Sequence, residues 1–282
     1  MLLSLDATEI TDALVYPGSL WREVRVVAET GSTNADLLAA AGAGAGEGTV
    51  LVAEAQTAGR GRLDRRWASP PRAALTFSVL LRPGGVPAAL LGWLPLLAGV
   101  AAAAAVHRVT TVAAVLKWPN DVLAGDEKLG GILAERTGTA VVIGIGINVW
   151  QGQADLPPGA AATSLALAAA AGGAGLAGAG GPGLRERLLT DLLDGLSRWY
   201  LAWRDQASPG DADACGLRRE YLRRCATLGR PVTVTMPGAG PVTGTAAGVD
   251  RTGRLEVRTA TGLVPVTAGD VTHVRPANDP GD

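Results

Sequence analysis

Apolar and polar positions alternate between Trp21 and Ala28 closely enough to predict a strand, which runs into the polar stretch 29–34. Asn34 to Ala41 reads as a short helix. A Gly/Ala turn over 42–48 separates it from the apolar run Thr49–Ala53, the pattern of a buried strand. A loop rich in glycine and arginine, Thr57 to Arg72, leads into a strand at Ala74–Leu81. Beyond the uncharged segment Val86–Val106, strands are predicted at Val109–Lys117, Gly131–Glu135 and Ala140–Val149. From Leu184 to Asp205 the period becomes three and four residues. Leu188, Leu192, Leu196, Trp199 and Trp203 form the apolar stripe of an amphipathic helix, and 215–226 also reads as helical. After that, Pro231–Thr235, Val242–Gly248, Leu255–Thr259 and Leu263–Thr267 are short strands between glycine-containing turns, with 250–253 the clearest hairpin turn. The change of character near Thr227 divides the chain into a mixed helix-and-strand unit, 1–226, and a small all-β unit, 227–282, expected to be a barrel.

Val86–Val106 is long enough to cross a bilayer. It is rich in alanine, however, with Gly92, Pro95 and Gly99 inside it, which suits a helix packed closely on a sheet better than one in lipid. The expectation is a soluble, cytoplasmic protein without a membrane segment. The tract Gly172–Gly183 is low-complexity Gly/Ala/Pro and is expected to be a flexible surface loop.

Composition removes several classes of function. A net charge of −1 argues against a general nucleic-acid binder. His107 and His273 are the only histidines, which leaves no multi-histidine metal site and makes a histidine-based triad improbable. Cys215 and Cys225 are too few, and too far from either histidine, for a zinc site or a disulfide framework. The basic residues are more informative. Of 25, only Lys117 and Lys128 are lysine, and both fall in one short stretch. A lysine ammonium is a compact, mobile point charge suited to a phosphate or carboxylate oxygen that moves during reaction, where a planar guanidinium fork is not.

Three further segments carry candidate chemistry. Gln56, Gly59, Arg60, Gly61 and Arg62, continuing to Arg65, Arg66 and Trp67, directly follow a predicted strand. Glycines there expose backbone N–H groups and the arginines supply forked donors, so together they can enclose an anion, with Trp67 as a stacking or lid residue. Ser32, Thr33 and Asn34 sit at a strand-to-helix junction, where they can cap the helix and also bind a polar group. Gly144, Gly146 and Asn148 lie on a buried strand whose glycines let a backbone or ligand lie against it. Asn120 and Asp121 follow a proline in a tight turn, either as turn residues only or as groups that read adenine or ribose or orient the lysines. No Walker A sequence is present, and Gly-x-Gly-x-x-Gly spacing occurs only by composition inside the low-complexity 172–183 tract, not between a strand and a helix as the dinucleotide fingerprint requires.

Taken in order, these segments resemble one family, the biotin protein ligases. The matching pieces are Gly-Ser-Thr-Asn at 31–34, Ala-Glu-Ala-Gln-Thr-Ala-Gly-Arg-Gly-Arg at 53–62 and Lys-Trp-Pro-Asn-Asp at 117–121. Lys-Leu-Gly-Gly-Ile-Leu at 128–133, Gly-Ile-Gly-Ile-Asn at 144–148 and the terminal β-module complete the set. The chain departs from the pattern at Asp64, where many relatives have glycine, and the Gly172–Gly183 tract looks like a lineage-specific insertion.

The resemblance implies an α+β fold: a mixed sheet with helices largely on one side, akin to the class II aminoacyl-tRNA synthetase core, followed by an SH3-like β-barrel. It implies that biotin is activated with ATP to biotinyl-5′-AMP. The biotinyl group then passes to a lysine of a biotin carboxyl carrier domain of an acyl-CoA carboxylase. Lys128, Arg62 and Arg60 would be catalytic. Ser32, Thr33, Asn34, Gln56, Gly59, Gly61 and Gly131 would join them around biotin, and Trp67, Asn120, Asp121 and Asn148 would lie near the adenylate. No protein metal site is implied, since Mg²⁺ would be held mainly by the ATP phosphates. A monomer or weak homodimer is expected. Thirty residues precede the first matching motif, too few for the DNA-binding domain that some relatives carry. The alternatives are a lipoate or octanoate ligase sharing the core fold, and a non-catalytic nucleotide-binding protein.

Overall fold

In the computed structural model, which describes residues 2–173, 183–236, 238, 240–267 and 269–273, the buried apolar runs lie at the centre of one mixed sheet. Its strands are β1 (Glu23–Val27), β2 (Thr49–Ala53), β3 (Ala74–Leu81), β4 (Ala114–Lys117), β5 (Asp121–Ala124), β6 (Glu127–Thr137) and β7 (Ala140–Asn148). They are ordered β1-β2-β3-β7-β6-β5-β4, with β1 and β2 parallel and every other neighbouring pair antiparallel.

Side chains alternate across a strand, and here both faces are covered. Leu75, Phe77, Val79 and Leu81 of β3 enter the main core. Leu80 turns the other way, with Leu51 of β2, to meet Leu37 and Ala41 of α2 (Thr33–Gly42). On the main-core face, α3 (Trp93–Thr110) lies against the sheet and α5 (Leu184–Arg204) packs on α3. The remaining helices are α1 (Ala7–Leu14), against β1 and α5; α4 (Leu165–Ala171), whose Leu165 and Ala169 enter the main core; and α6 (Leu217–Arg224), against α3 and β4. Helices thus lie largely on one side, with α2 on the other.

The alanine content of α3 follows from this double packing. A Cβ at Gly99 would stand 3.2 Å from Leu116 Cδ2, and one at Gly195 of α5 would stand 3.7 Å from Ala101. The segment Ala88–Thr110 is apolar and long enough to cross a membrane, yet α3 is buried between the sheet and α5 along most of its length. Its helical conformation also continues past Val106, so the strand expected from Val109 begins only at Ala114. Thr110 Oγ1 donates to Val106 O at 2.6 Å, and Thr111 closes the helix in the left-handed region at φ +61°.

The C-terminal unit contains β8 (Pro231–Thr235), β9 (Val242–Val249), β10 (Leu255–Thr259), β11 (Gly262–Val266) and β12 (Asp270–His273). It is an antiparallel module in the order β11-β10-β9-β8-β12, as the alternating pattern predicted, with one more strand than expected. Val232, Val234, Val257 and Val266 belong to the same core as the large sheet, so the two units share one apolar interior. Two indoles tie them together: Trp93 Nε1 donates to Arg251 O at 2.8 Å and Trp118 Nε1 to Gly253 O at 3.0 Å. The expected flexible tract falls mainly on residues 174–182, outside the described residues.

Candidate functional site

Register places the chemistry in one row across the sheet. Thr76 of β3 pairs with Gly146 of β7, Gly146 with Gly131 of β6, Gly131 with Asp121 of β5, and Asp121 with Lys117 of β4. The next row carries Ser78, Gly144 and Leu133. Glycines in the middle of both rows leave a depression on the α2 face, and side chains from elsewhere fill part of it. A Cβ at Gly144 would meet Asn34 Oδ1 at 2.2 Å, and one at Gly146 would meet the Trp67 ring at 2.5 Å. The space beside a strand glycine is thus taken by a side chain of the protein itself.

The remaining depression is a cavity of 330 Å³ whose floor is the sheet. Ser32, Thr33, Asn34, Gln56, Arg60, Gly61, Arg62, Trp67, Asn120, Asp121, Lys128 and Gly131 all line it. Gly59 does not; it is buried beneath the loop, where a Cβ would stand 2.4 Å from Trp67 O. Asn148 does not either. It donates from Nδ2 to Thr163 O at 2.9 Å and accepts from Gln151 Nε2 at 3.0 Å, which ties the end of β7 to the following segment. Lys117, Arg65, Arg66 and Asp270 of β12 add to the lining, so the C-terminal unit reaches the cavity.

One end of the cavity is polar and uncharged. Ser32 caps α2, accepting from Ala35 N, and the Thr33 amide donates to Gln56 Oε1 at 2.8 Å. Ser78, fully buried, lies 2.6 Å from Asn34 Oδ1 and 2.7 Å from Thr33 Oγ1. Its single proton satisfies the Asn34 carbonyl oxygen, which only accepts, so Thr33 donates either to Ser78 or to Gln56 Oε1 at 3.1 Å. Asn34 Nδ2 donates to Leu133 O at 3.2 Å and to Glu135 Oε2 at 2.8 Å. This end suits a neutral ligand with several donors and acceptors.

The other end is cationic, and the cavity lining as a whole holds six basic residues against two carboxylates. Lys128 Nζ pairs with Asp121 Oδ1 at 2.6 Å. Burial, opposed by Asp121, pulls the Lys117 ammonium below the usual lysine range, and Lys128 adds to the fall. Burial likewise lowers Arg62, with Asp121 opposing and Arg65 assisting. Arg62 Nη1 donates to Asn120 Oδ1 at 3.2 Å and to Gly269 O at 3.4 Å, while Asn120 Nδ2 donates to Ile132 O at 3.0 Å. Asn120 is therefore a holder of the arginine loop as well as a cavity residue. The Trp67 indole N–H is buried against Gly146 and has no partner.

The loop itself folds back as a narrow hairpin. Gly61 N donates to Arg65 O at 2.6 Å, Trp67 N to Gly59 O at 3.0 Å, and Arg60 bridges Arg66. Leu63 and Asp64 form its tip at φ +53° and +58°. Asp tolerates the left-handed region, so Asp64 can stand where relatives have glycine. Arg65 pairs with Asp270, and Arg60 Nη2 reaches Glu135 Oε2 at 3.0 Å. Glu135 was not among the residues anticipated from sequence. The signal was present: counting by two from Gly131 along β6 passes Leu133 and reaches 135 on the same face.

Residues 32–148 match the model of the biotin/lipoate A/B protein ligase family, and residues 227–274 match that of the biotin protein ligase C-terminal domain. The chain is 42% identical to a biotin–acetyl-CoA-carboxylase ligase of Mycobacterium tuberculosis over 96% of each chain. It is 31% identical to the enzyme of the same description from Paracoccus denitrificans, covering 87% of this chain and 98% of that one. Among solved structures, a biotin protein ligase from Aquifex aeolicus in complex with biotin and ATP superposes with a TM-score of 0.72 at 28% identity. That match covers 91% of this chain and all of the other.

Proposed function

The chain belongs to the biotin protein ligases, and from that premise we propose that its cavity joins the carboxylate of biotin to the α-phosphate of ATP. The carboxylate oxygen attacks the α-phosphorus, the bond to the β-phosphate oxygen breaks, and pyrophosphate leaves. In the second step the amine of a carrier-domain lysine attacks the carbonyl carbon of biotinyl-5′-AMP. AMP departs, an amide forms and one proton is released. The acceptor we assign is the biotin carboxyl carrier domain of an acyl-CoA carboxylase, modified in the cytoplasm, where ATP is supplied.

The observation that supports this best is the division of one cavity into a neutral polar end and a cationic end. Thr33, Gln56 and Ser32 suit the uncharged head of biotin. Two anions must then meet, and preorganised positive charge at the forming bond is what lowers that barrier. Lys128 and Arg62 face the position where carboxylate and α-phosphate come together. Lys117 and Arg65 extend the positive field toward the departing phosphates. The Trp67 ring, which lines the cavity, suits a nucleobase or ribose. Mg²⁺ would arrive on the ATP phosphates and neutralise charge on pyrophosphate. Asp121 is the carboxylate of the large sheet lining the cavity that could reach its water shell, and among the described residues no cluster of three or more His, Cys, Asp or Glu forms a protein cage.

The test is exchange of labelled pyrophosphate into ATP, followed by transfer to a carrier domain. Exchange should require biotin, and Lys128→Ala should reduce it by roughly a hundred- to a thousandfold, the loss typical of removing one donor from a developing anion. Exchange driven by octanoate or lipoate in place of biotin would assign the sister chemistry instead. Near-normal exchange in the lysine variant would remove Lys128 from the step.

A further inference from the structure

Glu135 stands on β6 with one oxygen doing two things. Its Oε2 accepts from Asn34 Nδ2 at 2.8 Å and from Arg60 Nη2 at 3.0 Å. Asn34 belongs to the first turn of α2, at the neutral end of the cavity, and Arg60 to the arginine loop that covers it. No backbone hydrogen bond crosses from the loop hairpin to β6; the loop's backbone partners lie in the loop itself, in the 30–31 segment and at Glu54. The carboxylate is half-buried, and the guanidinium it holds is more exposed.

We propose that Glu135 is a positioning residue that makes the biotin end of the cavity and the arginine loop a single unit; this rests on the ligase reading above. Two consequences follow from the bonding. Asn34 has both amide hydrogens committed, to Leu133 O and to Glu135, and its carbonyl oxygen receives Ser78. The carboxylate thereby fixes which way the amide points and holds the start of α2 against Gly144. Arg60, in turn, is tied to Glu135, which lies outside the cavity lining, so its work is to fasten the loop, while Arg62 and Lys128 have their partners Asn120 and Asp121 inside the cavity and face the reacting anions. Removing the carboxylate takes away one of the three hydrogen bonds that orient the Asn34 amide and unfastens the loop at its N-terminal side. Arg62 stays held by Asn120 and Gly269, and Arg65 by Asp270. The biotin end should suffer and the ATP end should not.

The experiment compares Glu135→Ala, Glu135→Gln, Arg60→Gln and the Glu135→Ala/Arg60→Gln double variant in the full-length chain by pyrophosphate exchange. Glu135→Ala should raise the biotin KM by roughly ten- to a hundredfold, the range for losing a charge-assisted contact. The ATP KM should stay within about twofold, and Arg60→Gln should add little on top because the two residues act as one unit. Glu135→Gln keeps an acceptor for Asn34 and should recover most of the biotin KM. A general loss of packing would move both KM values together and would not be rescued by the amide. Parallel rises in both KM values, or fully additive effects of the Arg60 and Glu135 changes, would overturn the proposal. If the alanine variant unfolds, Arg60→Gln alone carries the comparison: a raised biotin KM with the ATP KM within about twofold supports the proposal, and parallel rises or no change in either overturn it. Absence of biotin-dependent exchange in the unmodified chain would instead sink the ligase reading. The fastening would then be judged without ligand, by trypsin cleavage within 57–67. Faster cutting in Glu135→Gln than in the parent supports the fastening, and equal cutting overturns it.

Discussion

Lys117 and Lys128 flank one carboxylate, and only Lys128 is in contact with it. Lys117 is left half-buried with its pKa lowered, so an anion entering the cavity should raise that pKa again. Between the two values the free protein holds a neutral amine and the occupied protein an ammonium. Binding should therefore take up a proton at alkaline pH, and affinity for ATP should fall as pH rises through the window. Calorimetry in two buffers of different ionisation enthalpy measures the uptake; buffer-independent heats at alkaline pH would exclude it, and Lys117→Met should abolish it. At this scale the sequence was most legible where a residue type was rare or a motif dense. The lysine pair, the arginine loop and the polar 32–34 segment all converge on one cavity. Ser78 and Glu135 were not anticipated because a single polar residue on a strand has no local signature. Their roles come from cross-strand register, which sets them beside Asn34. Asn148 shows the converse, a residue within a strong motif whose amide is bonded to Thr163 and Gln151 away from the cavity.

Strands were readable wherever burial on both faces produced an apolar run, as at Thr49–Ala53 and Ala74–Leu81, whose bounds coincide with β2 and β3. Short elements were not. α1 buries only Ile10 and Leu14, β5 is four residues long, and α4 is a stretch of alanine and leucine without a polar face. One link between elements bears directly on the arginine loop. Glu54, at the end of β2, accepts from Arg185 of α5 at 2.5 Å, and Leu5 N donates to the same carboxylate at 2.6 Å. Arg72 N donates to Glu54 O at 2.8 Å and closes the base of the loop segment. Both side chains are buried, so removing one leaves the other charge without compensation. Arg185→Ala should destabilise the fold by about 3–5 kcal/mol, a fall in Tm on the order of 10 °C. Thermal unfolding checks this, and a loss under about 1 kcal/mol, the scale of an exposed pair, would show that the charges are not isolated from solvent.

Across the whole molecule, the two units meet at a point where backbone touches backbone. A Cβ at Gly92, just before α3, would stand 2.8 Å from Thr252 O, although its φ of −57° suits any residue. Gly92→Ala is therefore an interface change and not a helix change. It should destabilise the protein by about 1–3 kcal/mol as an overpacked contact. Because the same C-terminal unit brings Gly269 to Arg62 and Asp270 to Arg65, it should also speed escape of the adenylate. Unchanged release with lowered stability would uncouple the units from the cavity. The hairpin turn at 250–253 was legible in the sequence; its seating on Gly92 was not, since such contacts arise only when distant segments are docked. The scarcity of lysine has a consequence for the protein's own chemical safety. A mixed anhydride that leaks out acylates whatever amine it meets first, and this chain offers Lys117 and Lys128, both partly buried, and its α-amino group. An Arg62→Gly variant that leaks adenylate should therefore biotinylate a lysine-rich bystander protein heavily while its own surface stays almost unlabelled, and peptide mass spectrometry would read both. In a cell, the enzyme would survive its own errors and its neighbours would record them.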